Sequence, residues 1–225
     1  WTLSLAALRL PGLVLHDGLS PEFQEDFAGL GLEFGAVDVR NETRGEYRDW
    51  RGDTMDYAGT TEERERHWRM RQMRGHMSPN DLRVLVSLEE LLRRRSQLAG
   101  KYVLLTDVND LRLERNPFAF MQLMHGSYDL FVGDESQSNT AYMADWIEVC
   151  YRWELLGVNG RSPVVTQGTF FNNGIIGGRY EAVVWILERM VDEFWRMWTS
   201  SGYAMPYRIC DMPIFNRILW RLLLH

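Results

Sequence analysis

The chain has 225 residues, enough for one large domain with its own core. Hydrophobic residues make up 45% and aromatic residues 12%, which excludes a disordered chain, and a formal net charge of −6 argues against a broad nucleic-acid-binding field. No run of roughly 18 apolar residues occurs, so no membrane span is expected within these residues.

The sequence opens on Trp1 rather than Met and enters a helical pattern at once, so a fragment or processed form is expected. Thr2 to Leu8 reads as a short helix, Leu13 to Leu15 as a strand ending in His16-Asp17-Gly18, Pro21 to Phe27 as a helix, and Leu32 to Val39 as a second strand. Strands alternating with helices predict βαβ units and a parallel sheet. From Asn41 to Met77 the pattern breaks into a stretch rich in Arg, Glu, Gly and Asp, with Trp50 and Trp68 embedded. It reads as an insertion with local helix. Its basic cluster, Arg64, Arg66, Arg69, Arg71 and Arg74, is either a solvated face or a surface for a partner or acceptor.

Pro79 to Leu98 is predicted helical. Ser78 can cap it, Pro79 suits its first turn, and Leu82, Leu85, Val86, Leu88, Leu91 and Leu92 form a broad apolar stripe. Gly100 ends it, and Tyr102 to Leu105 follows as a fully buried strand. Asn116-Pro117-Phe118 turns into a helix reaching His125, and Asp129 to Val132 is a strand ending in Gly133-Asp134-Glu135. Ala141 to Leu156 is a helix, Thr169 to Ile176 a strand, and Gly177-Gly178 a turn. Helices over Tyr180 to Trp198 and Met212 to Leu224 complete a single α/β domain, residues 1–225. The two cysteines, Cys150 and Cys210, form either one bridge or two core thiols.

The strand over Tyr102 to Leu105 runs into Thr106, Asp107, Asn109 and Asp110. Ligands of open α/β sheets sit outside the carboxyl ends of the strands. Acidic oxygens there can hold a hard cation such as Mn²⁺ or Mg²⁺, and the cation can hold a diphosphate. The plain alternative is an acidic turn. Asn172-Asn173-Gly174 lies in a strand whose glycine lets the backbone approach a ligand, or packs on a helix. Asp211, with Asn216 behind it, reads as a helix cap or as a carboxylate beside a bound sugar. Arg83 reads as a solvated helical residue or as a clamp on a nucleotide diphosphate. His16-Asp17 and Gly133-Asp134-Glu135 end other strands, where they line the same edge or form polar turns.

The order of four motifs resembles that of GT-A-fold glycosyltransferases: Asn80-Asp81-Leu82-Arg83; Leu104 to Asp110 with Asn116-Pro117-Phe118; Asn173-Gly174-Ile175 with Gly177-Gly178; and Asp211 to Asn216. The similarity is to nucleotide-diphospho-sugar transferases of plants and algae that carry an Asp-x-x-Asp strand end, and it covers Pro79 to Leu222. It implies a Rossmann-like, mostly parallel sheet flanked by helices, with one antiparallel strand near the sugar. It also implies a nucleoside-diphosphate-sugar donor, a divalent metal, and a luminal, Golgi-type location. Asp107 and Asp110 match the metal positions, and Arg83, Asp107, Asn109 and Gly174 the donor-binding side. Asn173 and Asp211 match the residues at the reacting sugar. The usual Asp-x-Asp spacing is not kept, because Asn109 stands at its third position. The first strand of such folds, which helps hold the nucleobase, has no counterpart in this reading.

The leading expectation is therefore a metal-dependent transferase acting on a protein or glycan hydroxyl. The alternative is a non-catalytic scaffold that keeps a degenerate transferase fold. A metal-dependent phosphate-ester hydrolase would also use acidic strand ends, but the five histidines are scattered rather than grouped as ligands.

Overall fold

A computed structural model describes residues 2–16, 18–27, 29–37, 60–107, 111–135, 140–155, 170–205 and 209–223. The first third contains α1 (Thr2–Ala7), β1 (Gly12–His16), α2 (Pro21–Phe27) and β2 (Leu32–Ala36). These match the expected order. β1 and β2 pair in parallel, Gly12 opposite Leu32 through His16 opposite Ala36, as a βαβ unit requires.

α3 (Thr61–Arg74) is the helix expected inside the insertion. A capping box starts it: the Thr60 hydroxyl accepts the Glu63 N–H, and the Glu63 carboxylate accepts the Thr60 N–H. The rest of the insertion, residues 41–59 with Trp50, lies outside the described residues.

α4 (Pro79–Arg93) is capped by Ser78, whose hydroxyl accepts the Asp81 N–H at 3.1 Å. The single helix predicted to Leu98 is interrupted at Arg94, and α5 (Arg95–Leu98) follows. At that point the Tyr180 hydroxyl donates to the Leu91 carbonyl, the acceptor that Arg95 would use to continue the helix.

β3 (Tyr102–Thr106), α6 (Pro117–Leu123), β4 (Leu130–Asp134), α7 (Thr140–Leu155) and β5 (Phe171–Arg179) form the middle of the fold. β3 is not fully buried: Val103 is buried and its neighbours are half-exposed. β5 does not end at a Gly177-Gly178 turn but runs straight through both glycines, between β3 and β4. A Cβ on Gly177 would sit 2.3 Å from Met121 Cε, and one on Gly178 2.2 Å from the Asp129 carbonyl. These glycines permit close packing in a central strand rather than a reversal.

β5 is antiparallel to both of its neighbours. Among the described residues the sheets are therefore a parallel pair, β1–β2, and an antiparallel trio ordered β3-β5-β4. The pairings differ from the mostly parallel sheet expected, although one antiparallel strand was expected and β5 is antiparallel. The physical reason is that the β3–α6–β4 crossover leaves a strand-wide gap, and β5 enters it from the opposite direction.

The core lies between the antiparallel sheet, α4 and two long helices, α8 (Tyr180–Ser200) and α9 (Asp211–Leu223). On α8, Val183, Ile186, Leu187, Met190, Val191, Phe194 and Met197 form one buried face with helical spacing. A disulfide joins Cys150 of α7 to Cys210, just before α9, closing the choice the sequence left open. Among the described residues no helix is long and apolar enough to cross a membrane.

Candidate functional site

Arg83 faces outward on the first turns of α4, beside the inward-facing, fully buried Leu82 and Leu85. That puts its guanidinium at the carboxyl end of β3. One nitrogen, Nη1, donates to Asp107 Oδ1. The other, Nη2, donates to Asn173 Oδ1 at 3.0 Å and to Asp211 Oδ2 at 2.7 Å. One side chain therefore gathers β3, β5 and the start of α9 into a single polar cluster. Burial opposes the guanidinium's charge, but the Asp211 and Asp107 carboxylates outweigh it and raise its pKa.

Asp107 is held from its other side by β5. Its N–H donates to the Gly174 carbonyl at 2.8 Å, and a Cβ at Gly174 would lie only 2.6 Å from Asp107 Oδ2. The Asn172 amide oxygen accepts the Gly174 N–H at 2.7 Å, and its Nδ2 donates to Glu135 at 3.0 Å. The glycine read as admitting a ligand thus admits the Asp107 carboxylate first.

Asp81 had no role in the sequence reading, and it is the residue that fixes Asp211. Fully buried, it accepts the N–H groups of Cys210 and Asp211 on Oδ1, each at 2.8 Å, and the Ser78 hydroxyl on Oδ2 at 3.0 Å. Burial, then the nearby Asp211 charge, pushes its pKa up to about 7, against the pull of these hydrogen bonds. The sequence signal was an acidic residue three places after a capping serine. Its second engagement, about 130 residues along the chain, left no such mark.

Asn216 is wholly structural. Fully buried, it accepts the Phe171 N–H and donates to the Phe171 carbonyl, tying α9 to the start of β5.

A cavity of about 600 Å³ opens beside this cluster. Asn80, Arg83, Thr106, Asp107 and Asn173 give it a polar end, and Leu82, Val86, Leu187 and Met190 an apolar depth. The Thr106 hydroxyl is buried and has no hydrogen-bond partner among the described residues. His16 lines the same cavity, but its Nδ1 accepts the Leu19 N–H at 3.0 Å and so helps close its own turn. Asp17 lies outside the described residues, as do Asn109 and Asp110 of the metal motif.

Asp107 offers one hard-oxygen ligand, with its side chain 43% exposed at the cavity mouth. Oxygen donors of this kind suit Mg²⁺ or Mn²⁺. Among the described residues no three His, Cys, Asp or Glu groups are assembled to hold a metal ion. The basic cluster of the insertion divides: Arg66 and Arg74 are buried, paired with Glu188 at 2.8 Å and Glu89 at 2.7 Å, whereas Arg64 and Arg71 are exposed. Trp68 is exposed, edge-on to Trp195 at 5.4 Å. No family model, curated protein or solved structure matches this chain.

Proposed function

We propose that this chain is a metal-dependent glycosyltransferase of the GT-A type, moving a sugar from a nucleoside-diphosphate sugar to a protein or glycan hydroxyl. The observation that carries the reading is the meeting of Arg83, Asp107, Asn173 and Asp211 at the polar end of one cavity. These residues were named from ordered motifs up to 128 positions apart, and a single guanidinium connects them.

In this reaction the acceptor oxygen bonds to the anomeric carbon while the bond from that carbon to the diphosphate breaks. The electron pair leaves with the nucleoside diphosphate, and the hydroxyl proton passes to a base. Asp107, with Asp110 of the same motif, would hold Mn²⁺ or Mg²⁺, which when bound neutralises charge on the departing diphosphate. Arg83 supplies a fixed positive charge at the same place, turning toward phosphate oxygens the N–H donors that Nη1 and Nη2 now give singly to Asp107 and Asp211. Asn109 and Gly174 lie on the donor side in this reading. The Asn173 amide reads a sugar hydroxyl. Asp211 orients Arg83 and Asn173 at the reacting sugar. The Cys150–Cys210 disulfide supports an oxidising, luminal location.

One observation favours the scaffold alternative: Arg83 already pairs with both carboxylates, so its guanidinium is engaged within the protein without a ligand. A panel of UDP- and GDP-sugars, assayed for release of the nucleoside diphosphate with and without Mn²⁺, separates the two. The transferase reading expects metal-dependent release that Asp107→Asn abolishes. A folded protein that turns over no donor would leave the scaffold reading standing.

A further inference from the structure

A chain of aromatic rings runs from α3 across the end of α8. Trp68 of α3 meets Trp195 of α8 edge-on, with ring centroids 5.4 Å apart. Trp195 meets Trp198 at 5.3 Å, and Trp198 meets Tyr203, in the turn after α8, at 5.1 Å. His76, just past α3, lies tilted on Trp198 at 5.5 Å. None of these residues lines the cavity. Trp198 lies roughly 12 Å along α8 from the cavity-lining Met190.

Packing accounts for the middle of this chain of rings but not for its ends. Trp195 is half-buried and Trp198 is 6% exposed, so both fill space between α3 and α8. Trp68 is 52% exposed and Tyr203 64%. Apolar residues scattered singly over a surface need no explanation, but contiguous ones mark an interaction site. Tyr203 also holds a φ of +64°, a left-handed conformation that is costly for a bulky side chain. Its N–H donates to the Trp198 carbonyl at 2.8 Å, which keeps its ring against Trp198 while leaving it in solvent. The Trp198 Nε1–H is buried and has no acceptor among the described residues.

The surroundings select the ligand. Arg69 lies over the Trp195 ring at 5.9 Å, but Glu65 at 2.6 Å and Asp192 at 3.6 Å compensate its charge within the protein. That charge is therefore not offered to an anion. Glu65 and Gln72, one turn before and one turn after Trp68, are exposed, as is His76. Their carboxylate, amide and imidazole groups accept and donate hydrogen bonds. Exposed rings interrupted by such groups lack the continuous apolar centre of a protein interface. They fit a sugar ring, whose C–H bonds present an apolar side to the negative face of an aromatic ring and whose hydroxyls edge it. We propose that Trp68, Trp195, Trp198 and Tyr203 form a binding platform for a neutral oligosaccharide. Trp68 and Tyr203 stack on its sugar rings, and Glu65, Gln72 and His76 bond its hydroxyls. A hydroxyl passing His76 supplies the acceptor that Trp198 lacks. The platform is separate from the cavity and does not rest on the transferase reading.

The test is a titration of the chain with neutral oligosaccharides of glucose, mannose, galactose and xylose, and with an acidic oligosaccharide of uronic acid, read on the indole N–H signals by NMR. A neutral oligosaccharide should give saturable shifts of the Trp68 and Trp198 signals. Trp68→Ala and Tyr203→Ala, both at exposed positions, should each weaken its binding about tenfold and leave the urea midpoint in place. No saturable shift up to about 10 mM sugar, tighter binding of the acidic oligosaccharide, or binding that survives both substitutions would overturn the proposal. So would self-association in sedimentation that Trp68→Ala abolishes, which would assign the rings to a second copy of the chain. Binding at the platform by a protein that turns over no nucleotide sugar would defeat the transferase reading alone.

Discussion

Two clusters of charged residues draw on α4, through Arg83 and through Glu89, and they differ in what they face. Between α3, α4 and α8, Arg74 pairs with Glu89 at 2.7 Å and Arg66 pairs with Glu188 at 2.8 Å and Asp192 at 3.7 Å. Arg66, Arg74, His67 and Glu89 are all buried, and none of them lines the cavity. At the sheet end, Arg83 pairs with Asp107 and Asp211, and this cluster opens into the cavity. Burial of charge therefore does not by itself mark a site. The first cluster cements helices. The second leaves charged atoms where a ligand can exchange for them.

Substitutions should separate the two roles, and the largest effect should come from the helix cluster. Arg74→Met leaves Glu89 charged and buried, and should cost about 3–5 kcal/mol of stability in urea denaturation. Nucleotide binding by the folded fraction should be unchanged, and adding Glu89→Leu should recover most of the loss. An Arg74→Met protein that keeps its stability would contradict the contrast.

Gly174→Ala sets a methyl against the Asp107 carboxylate. It should cost about 1–3 kcal/mol and, by displacing Asp107, remove nucleotide binding as well. Arg83→Gln leaves Asp211 with its Met212 N–H bond but without its cation. It should cost roughly 1–3 kcal/mol and abolish binding, so its binding defect should far exceed its stability defect.

The smallest effects concern pH, and the clusters should show opposite signs. Burial, then Arg71 and Arg74, hold the His67 pKa down to about 4, although Glu89 lies 3.8 Å from its Nε2. The unfolded chain takes up that proton near 6.5. The His67 contribution is thus whole above about 6.5 and lost as pH falls toward 4. Asp81, pushed up to about 7 from its ordinary 3.8, behaves in reverse. Its contribution is whole below about 4 and lost as pH rises through 7. Relative to wild type, Asp81→Asn should gain stability as pH rises from 4 to 7, and His67→Gln as pH falls from 6.5 to 4. Parallel curves for either variant would count against the corresponding environment.

Local pattern made much of this fold legible. The apolar stripe of α4 and the capping serine before it predicted that helix, and the βαβ rhythm predicted β1, α2 and β2. Pattern failed where a residue's neighbours are distant in the chain. Gly177 and Gly178 carry the composition of a turn, yet the Met121 side chain and the Asp129 backbone decide their use. The antiparallel course of β5 depends on a gap left by the β3–α6–β4 crossover, which no local period encodes. At the site, Arg83, Asp107, Asn173, Gly174 and Asp211 were readable as chemistry-bearing types in order. Their mutual contacts were not, and Asp81, named within its motif, was given no role because its partners Cys210 and Asp211 lie about 130 residues away.

The central claim is that the Arg83 cluster exchanges its internal pairing for a metal and a nucleoside diphosphate. Calorimetric titration with UDP and with GDP, each with and without Mn²⁺, on wild type, Asp107→Asn and Asp110→Ala tests it most directly. The account predicts metal-dependent binding of one nucleotide that both substitutions remove. Binding of neither nucleotide by folded wild-type protein, or binding indifferent to Mn²⁺ and to both carboxylates, would contradict it.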